Sequence, residues 1–291
     1  MNRKVILSML LINLLISTSC MKTTKEKSAQ LAQSERAPES LVSVMRGIDE
    51  ILDSISSMER NTGLSSSEFE VLHSDTGSKN DKAKDGGRNR GDQSKDGMES
   101  NAGGNEDNKK LTSKDEGTLK AWKTIDDRIE KIHKDWNSYE AKGIKKAASI
   151  EKSNELKENL NLFTIAIENR DMVSIMDNGS KTLFSLSYYF DLYRDEVLGD
   201  LTRISYVAYQ AYLKAKGKDI NGADKLLGTV DKYIANLRQK IDRKQNKEKL
   251  ESIDKLSLSL GDMRQSLRDA SEKLLEIKRD IILENTKGLQ N

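Results

Sequence analysis

The chain has 291 residues, a third of them charged, yet its net charge is only +2. Near-neutrality argues against a strongly basic nucleic-acid binder, and no segment after residue 20 approaches the length of apolar chain that spans a bilayer. A single proline, few aromatics and abundant Lys, Glu, Asp, Leu and Ile favour helices over strands, in one or two domains.

The first element sets the compartment. Arg3 and Lys4 give a positive start, Val5 to Ile16 is apolar except for Ser8 and Asn13, and Ser17, Thr18 and Ser19 lead to Cys20. That is the layout of a secretory signal peptide over 1–19, with a core too short for a stable span. Its end resembles a bacterial lipobox, with Ser17 where a Leu is usual. Cys20 is the only cysteine and stands at the modified position. Two or more acyl chains on Cys20 would hold the protein at a membrane, at about 0.8 kcal/mol per buried methylene. A mature chain without other thiols fits export to an oxidising space.

Residues 20–58 read as a spacer followed by an amphipathic helix. Met21 to Ser40 is polar. From Leu41 to Met58, Leu41, Val44, Met45, Ile48, Ile51, Leu52, Ile55 and Met58 recur at helical spacing. A lone apolar stripe needs a surface: the main domain, the membrane or a partner helix. A polar face poor in Lys and Arg weighs against the membrane.

Residues 59–117 read as a disordered stalk. Between Ser74 and Lys110 the only large apolar side chain is Met98, too little to offset backbone entropy. As a flexible coil such a length spans about 40–45 Å. Arg90-Gly91-Asp92 within it spells an integrin-recognition tripeptide, which chance explains in a stretch of Gly, Asp, Lys and Arg.

The helical domain is expected over 118–291, its first helix opened by a capping box of Ser113 and Glu116. Leu119, Trp122, Ile125, Ile129, Ile132, Trp136 and Tyr139 form the first stripe, stopped at Gly143. Leu156, Leu160, Phe163 and Ile167 mark a second helix. Asp171 is the expected N-cap of a third, which carries Ile175, Met176, Leu183, Leu186, Phe190 and Tyr193. Leu198, Leu201, Ile204, Ala208, Ala211 and Ala215 make a fourth, closed by Gly217. Ile220, Ala223, Leu227, Val230, Ile234, Leu237 and Ile241 make a fifth. Leu250, Ile253, Leu256, Leu260, Met263, Leu267, Ala270, Leu274, Ile277 and Ile281 step by three and four, predicting one helix about 50 Å long with a heptad seam. That seam could serve the domain or a second copy. The expected fold is an all-α antiparallel bundle of helix hairpins with a long C-terminal helix, preceded by the disordered tether.

KIHKDWNSYEAKGIKKA (131–147), LNLFTIAIENRD (160–171) and YYFDLYRDE (188–196), behind a lipid-anchored spacer, resemble the helical lipoproteins of Firmicutes. A rival resemblance, through the tether and helical domain, is to spirochaete surface lipoproteins, which implies binding of host molecules. Neither resemblance brings catalytic residues.

Little in the chain suggests chemistry. His73 and His133 lie far apart without partners at metal-ligand spacing, so no metal or cofactor is expected. Asp126-Asp127 with Glu130, and Asp195-Glu196 with Asp200, alternate with Lys and Arg as solvated helix faces do, although paired carboxylates can act in a glycosidase. No phosphate-binding fingerprint appears. Tyr189, Tyr206, Tyr209 and Tyr212, in a cluster with Tyr188, Phe190 and Tyr193, are either core with hydroxyls at the rim or a partner surface. Arg238, Arg243, Lys244 and Lys247, in a run with Lys240 and Lys249, are either a solvated link or a contact for anionic polymer, headgroup or nucleic acid. The expectation is a lipid-anchored protein on the extracytoplasmic face of the cell membrane, presenting a non-enzymatic helical interaction domain. A surface adhesin or host-factor binder comes next, and an envelope enzyme with helix-borne carboxylates after it.

Overall fold

A computed structural model describes residues 36–65, 67–68, 112–143, 149–193, 197–241, 247–269 and 271–290. Cys20, the signal segment, His73, most of the stalk with Arg90-Gly91-Asp92, the pair Asp195-Glu196, and Arg243 with Lys244 lie outside these residues. The described residues contain helices and no strand: the fold is all-α, a helical bundle. The elements are α1 (Glu39–Thr62), α2 (Ser113–Gly143), α3 (Ile150–Glu168), α4 (Met172–Phe190), α5 (Val197–Lys216), α6 (Ile220–Leu227), α7 (Val230–Lys240), α8 (Lys247–Ser266) and α9 (Glu272–Gly288), with a 3-10 turn at Leu267–Asp269. The chain divides into two compact units, one holding residues 36–55 and 125–290, the other 56–124.

In the second unit, α2 opens on a capping box one residue earlier than expected. Thr112 and Asp115 exchange the reciprocal bonds, Asp115 N–H to Thr112 Oγ1 at 3.3 Å and Thr112 N–H to Asp115 Oδ2 at 3.2 Å. Lys114 Nζ donates to the Leu64 carbonyl. Leu119, expected on the buried stripe, is 64% exposed.

In the first unit, α1 is a core helix. Leu41, Val44, Met45, Ile48, Ile51, Leu52 and Ile55 are all buried. Two glycines permit close approach: a Cβ on Gly47 would meet Ile132 of α2 at 2.7 Å, and one on Gly179 of α4 would meet Phe163 at 2.7 Å and Leu52 of α1 at 2.8 Å. Polar ties flank this packing. Ser43 donates to Asp135 at 2.5 Å, Arg128 pairs with Glu50 at 2.9 Å, and Lys287 of α9 bridges both Asp53 oxygens. Asp49 is buried beneath that bridge and accepts from Gln290 Nε2 at 3.3 Å. Burial pushes its carboxyl up to about 7 against the opposing charge of Lys287.

α3 to α6 are joined by one device used twice. Arg170 and Lys218 adopt left-handed backbone, φ 55° and 66°, and end α3 and α5. The aspartate after each caps the next helix: Asp171 accepts from Val173 N and Ser174 N at 3.1 Å, and Asp219 from Gly222 N at 2.9 Å. The Asp171 cap is as the sequence predicts, whereas Lys218 rather than Gly217 makes the left-handed turn.

α5 is the central helix. α4, α6, α7 and α9 all pack on it, so most side chains from Leu198 to Ala215 are buried, Arg203, Tyr206, Leu213 and Lys214 excepted. The single fifth helix expected over 220–241 is two, because Gly228 and Thr229 turn the chain between α6 and α7. The long final helix is also two. It ends at Ser266, passes through the 3-10 turn, and restarts with Ser271 Oγ accepting from Leu274 N at 3.3 Å, so that α8 and α9 fold against each other. The seam is buried in α8 at Ile253, Leu256, Leu260 and Met263, and at Leu267 in the turn that follows. In α9 the residues turned inward are Leu275, Glu276, Arg279, Ile282, Leu283 and Thr286, while Ile277 and Ile281 are exposed. The continuous seam expected from Leu250 to Ile281 does not form.

Candidate functional site

A polar cleft on α5 lies beside its first turn. Gly199 lets the end of α4 come close, since a Cβ there would collide with the Asp191 carboxylate and meet the Ser187 carbonyl at 3.2 Å. Asp200, one residue on, is 1% exposed. A buried carboxylate needs partners, and it has three: Lys240 Nζ at 2.8 Å and Asn236 Nδ2 at 3.3 Å from α7, and Arg203 Nη1 at 3.5 Å. Arg203 also forks onto Asp191, with Nη1 at 3.2 Å and Nη2 against the other oxygen. Burial works against the Arg203 charge, but its bonds to Asp191 and the neighbouring Asp200 outweigh that and raise its pKa.

The cleft encloses about 450 Å³ between α5 and α7. Its outer wall is Tyr233, whose ring carries Lys232 Nζ 4.7 Å from its centroid and Arg203 Cζ at 5.8 Å. Arg203 and Tyr206 are three residues apart and share the accessible line of α5. Tyr206 stacks on Phe184 of α4, centroids 4.7 Å apart, and Phe184 is 39% exposed. Partial burial raises the Tyr206 pKa. Arginine and aromatic rings in a half-exposed row, on a rigid helix, are the composition of protein-recognition patches.

Of the tyrosines considered for a partner surface, only Tyr206 reaches this face. Tyr189, Tyr209 and Tyr212 are core residues, a correction that follows from the central position of α5, the packing of α4 on α3 and the ring contacts of Tyr189 with α2. Tyr189 meets Trp136 edge-on at 5.0 Å and Tyr139 at 5.7 Å, while Tyr193 and Tyr139 share a hydroxyl bond of 3.2 Å. Tyr209 and Tyr212 lie under the buried guanidinium of Arg279, at 5.8 and 4.3 Å. Arg279 sits on the inward stripe of α9 between Leu275 and Ile282, a placement visible in the sequence only once that helix is phased from Ser271.

Of the basic run, Arg238, Lys240 and Lys247 are engaged with separate carboxylates. Arg238 pairs with Asp254 at 2.6 Å, Lys240 holds Asp200, and Lys247 lies 3.9 Å from Glu251. His133 meets Thr164 Oγ1 at 2.9 Å, and burial lowers its pKa. Asp126 is forked by Arg170 with two bonds of 2.7 Å, and Glu130 is paired with Lys134 at 2.5 Å. Among the described residues no group of three or more His, Cys, Asp and Glu is placed to hold a metal ion, and no helix is long and apolar enough to cross a membrane. The sequence reading reached Asp200 as a helix-surface acid. It missed Asp191, Arg203, Lys232, Tyr233 and Asn236, whose only shared signal is alternation of acid, base and aromatic over segments that meet in space.

No family model, curated protein or solved structure matches this chain.

Proposed function

We propose that this is a lipid-anchored protein of the cell envelope whose helical domain recognises a partner without catalysis. In this reading Cys20 carries the lipid, the domain stands on the extracytoplasmic side, and the Phe184–Tyr206–Arg203–Tyr233 face meets the partner. The observation that supports it most is that face: half-exposed rings of α4, α5 and α7 around an arginine held by two carboxylates. Ordered aromatic and guanidinium groups give up little conformational freedom on binding. The leader pattern of Arg3 to Cys20 supports the anchoring.

The test is made on intact cells. The wild type should incorporate labelled fatty acid and Cys20→Ala should not. A photocrosslinking residue in place of Tyr206 should give a discrete crosslinked band that the same residue in place of Lys255 does not give. Equal labelling of Cys20→Ala, or identical products from the two crosslinking positions, would refute the reading.

A further inference from the structure

We propose that the groove between α6 and the end of α8, away from the face above, binds a phosphate group. The groove is about 660 Å³, within the range of small-molecule sites, and Arg264, Arg268, Gln265, Asn221 and Gly261 line it. Arg264 is already oriented: Asp224 of α6 takes Nε at 2.6 Å and Nη2 at 3.1 Å. Asp224 is thereby occupied, and its pKa is lowered by that bond. Arg268 lies one turn further along, and its charge also acts on Asp224, whose oxygens Arg264 holds. The lining itself carries two guanidinium groups and one engaged carboxylate, with Asp231 acting on Arg264 from outside it, and the amides of Asn221 and Gln265 add neutral donors.

Gly261 points the same way. A glycine inside a helix costs about 1 kcal/mol relative to alanine. At Gly47, Gly179 and Gly199 the fold accounts for that cost, because a Cβ would strike a neighbouring side chain within 3 Å. At Gly261 a Cβ would meet nothing within 4 Å. Packing does not require this glycine, and what it leaves open is the floor of the groove. The donors suit an oxyanion with more than two acceptors: one fork satisfies a carboxylate, whereas two guanidinium groups on successive turns can share the three free oxygens of a phosphate. Such a group could arrive as free phosphate or on a glycerophosphate headgroup.

Calorimetric titration of the full chain with inorganic phosphate and, separately, with glycerol 3-phosphate distinguishes the sources. The expected result is saturable binding of at least one probe, weakened tenfold or more in Arg268→Gln, abolished in Gly261→Leu, and retained in Gly261→Ala and Lys255→Gln. Circular dichroism melts of all four variants establish that each is folded. Tighter binding of glycerol 3-phosphate assigns the headgroup; equal or tighter binding of inorganic phosphate assigns the free ion. Absence of saturable binding of both probes overturns the proposal, as does an equal loss in Lys255→Gln or unchanged affinity in Arg268→Gln.

Discussion

α8 and α9 carry one unbroken pattern in the sequence and put it to opposite uses. In α8 the residues stepping by three and four face the core, with Ile253, Leu256 and Met263 at 0% exposure. In α9 the continuation, Ile277 and Ile281, faces outward at 45% and 39%, and a second set takes the inward positions. A repeat defines a spacing, while the helix start defines its phase. The 3-10 turn at Leu267–Asp269 and the new cap at Ser271 end one helix and begin another, so the phase is set afresh. The inward stripe of α9 then includes a buried arginine, stacked on Tyr212 and bonded to Asp280 through Nε at 2.9 Å.

The largest test of this contrast is a pair of alanine substitutions. Leu260→Ala removes a buried leucine from α8 and should cost about 2–5 kcal/mol. Ile277→Ala, on the exposed side of α9, should cost under about 1 kcal/mol. Urea denaturation of both variants gives the two values directly. Equal losses would mean that the seam is continuous and the hairpin wrong.

The next effect concerns how α1 is held against the end of α9. Asp49 is raised to about 7 by burial, while an unfolded aspartate titrates near 3.9. Between those values the native chain keeps a proton that the unfolded chain has released. Stability from this group is therefore full below about pH 4, falls as the pH rises toward 7, and is flat above. Asp49→Asn should remove on the order of 2–4 kcal/mol of that pH dependence, read from denaturation midpoints between pH 4 and 8. A wild-type profile that instead rises over this interval, with Asp49→Asn unchanged in slope, would contradict the assignment.

The smallest effect is at the turn itself. Ser271→Ala removes the side-chain acceptor for Leu274 N and should cost about 0.5–2 kcal/mol, with Ser271→Asp recovering most of it. Hydrogen exchange should show the loss concentrated in the first turn of α9. Were residues 266–274 one continuous helix, alanine would stabilise them instead.

Much of the fold is legible in the sequence. Helical class, the α1 stripe, the stripes of α3 and α4 and the Asp171 cap follow from spacing and cap chemistry, which act over a few residues and leave a local trace. What the sequence does not reveal is phase and partnership. Gly228, Ser271 and Lys218 each redirect the chain, and none outweighs the flanking apolar periodicity when read alone. The tyrosine cluster shows the limit well. Tyr206 and Tyr209 are three residues apart on one helix, yet one reaches the surface and the other lies under Arg279.

By itself the sequence determined an all-α chain of amphipathic helices in order, and a polar segment with few apolar residues between the first two. Those are properties of composition and short-range periodicity, and they hold whatever the helices pack against. Only the tertiary structure decided that α5 is central, that α1 belongs to the core, that Asp200 is buried beneath Lys240, and that Arg264 and Arg268 share a groove with Gly261. Each depends on which helix face meets which neighbour, and that is set by summed packing over residues distant in the chain.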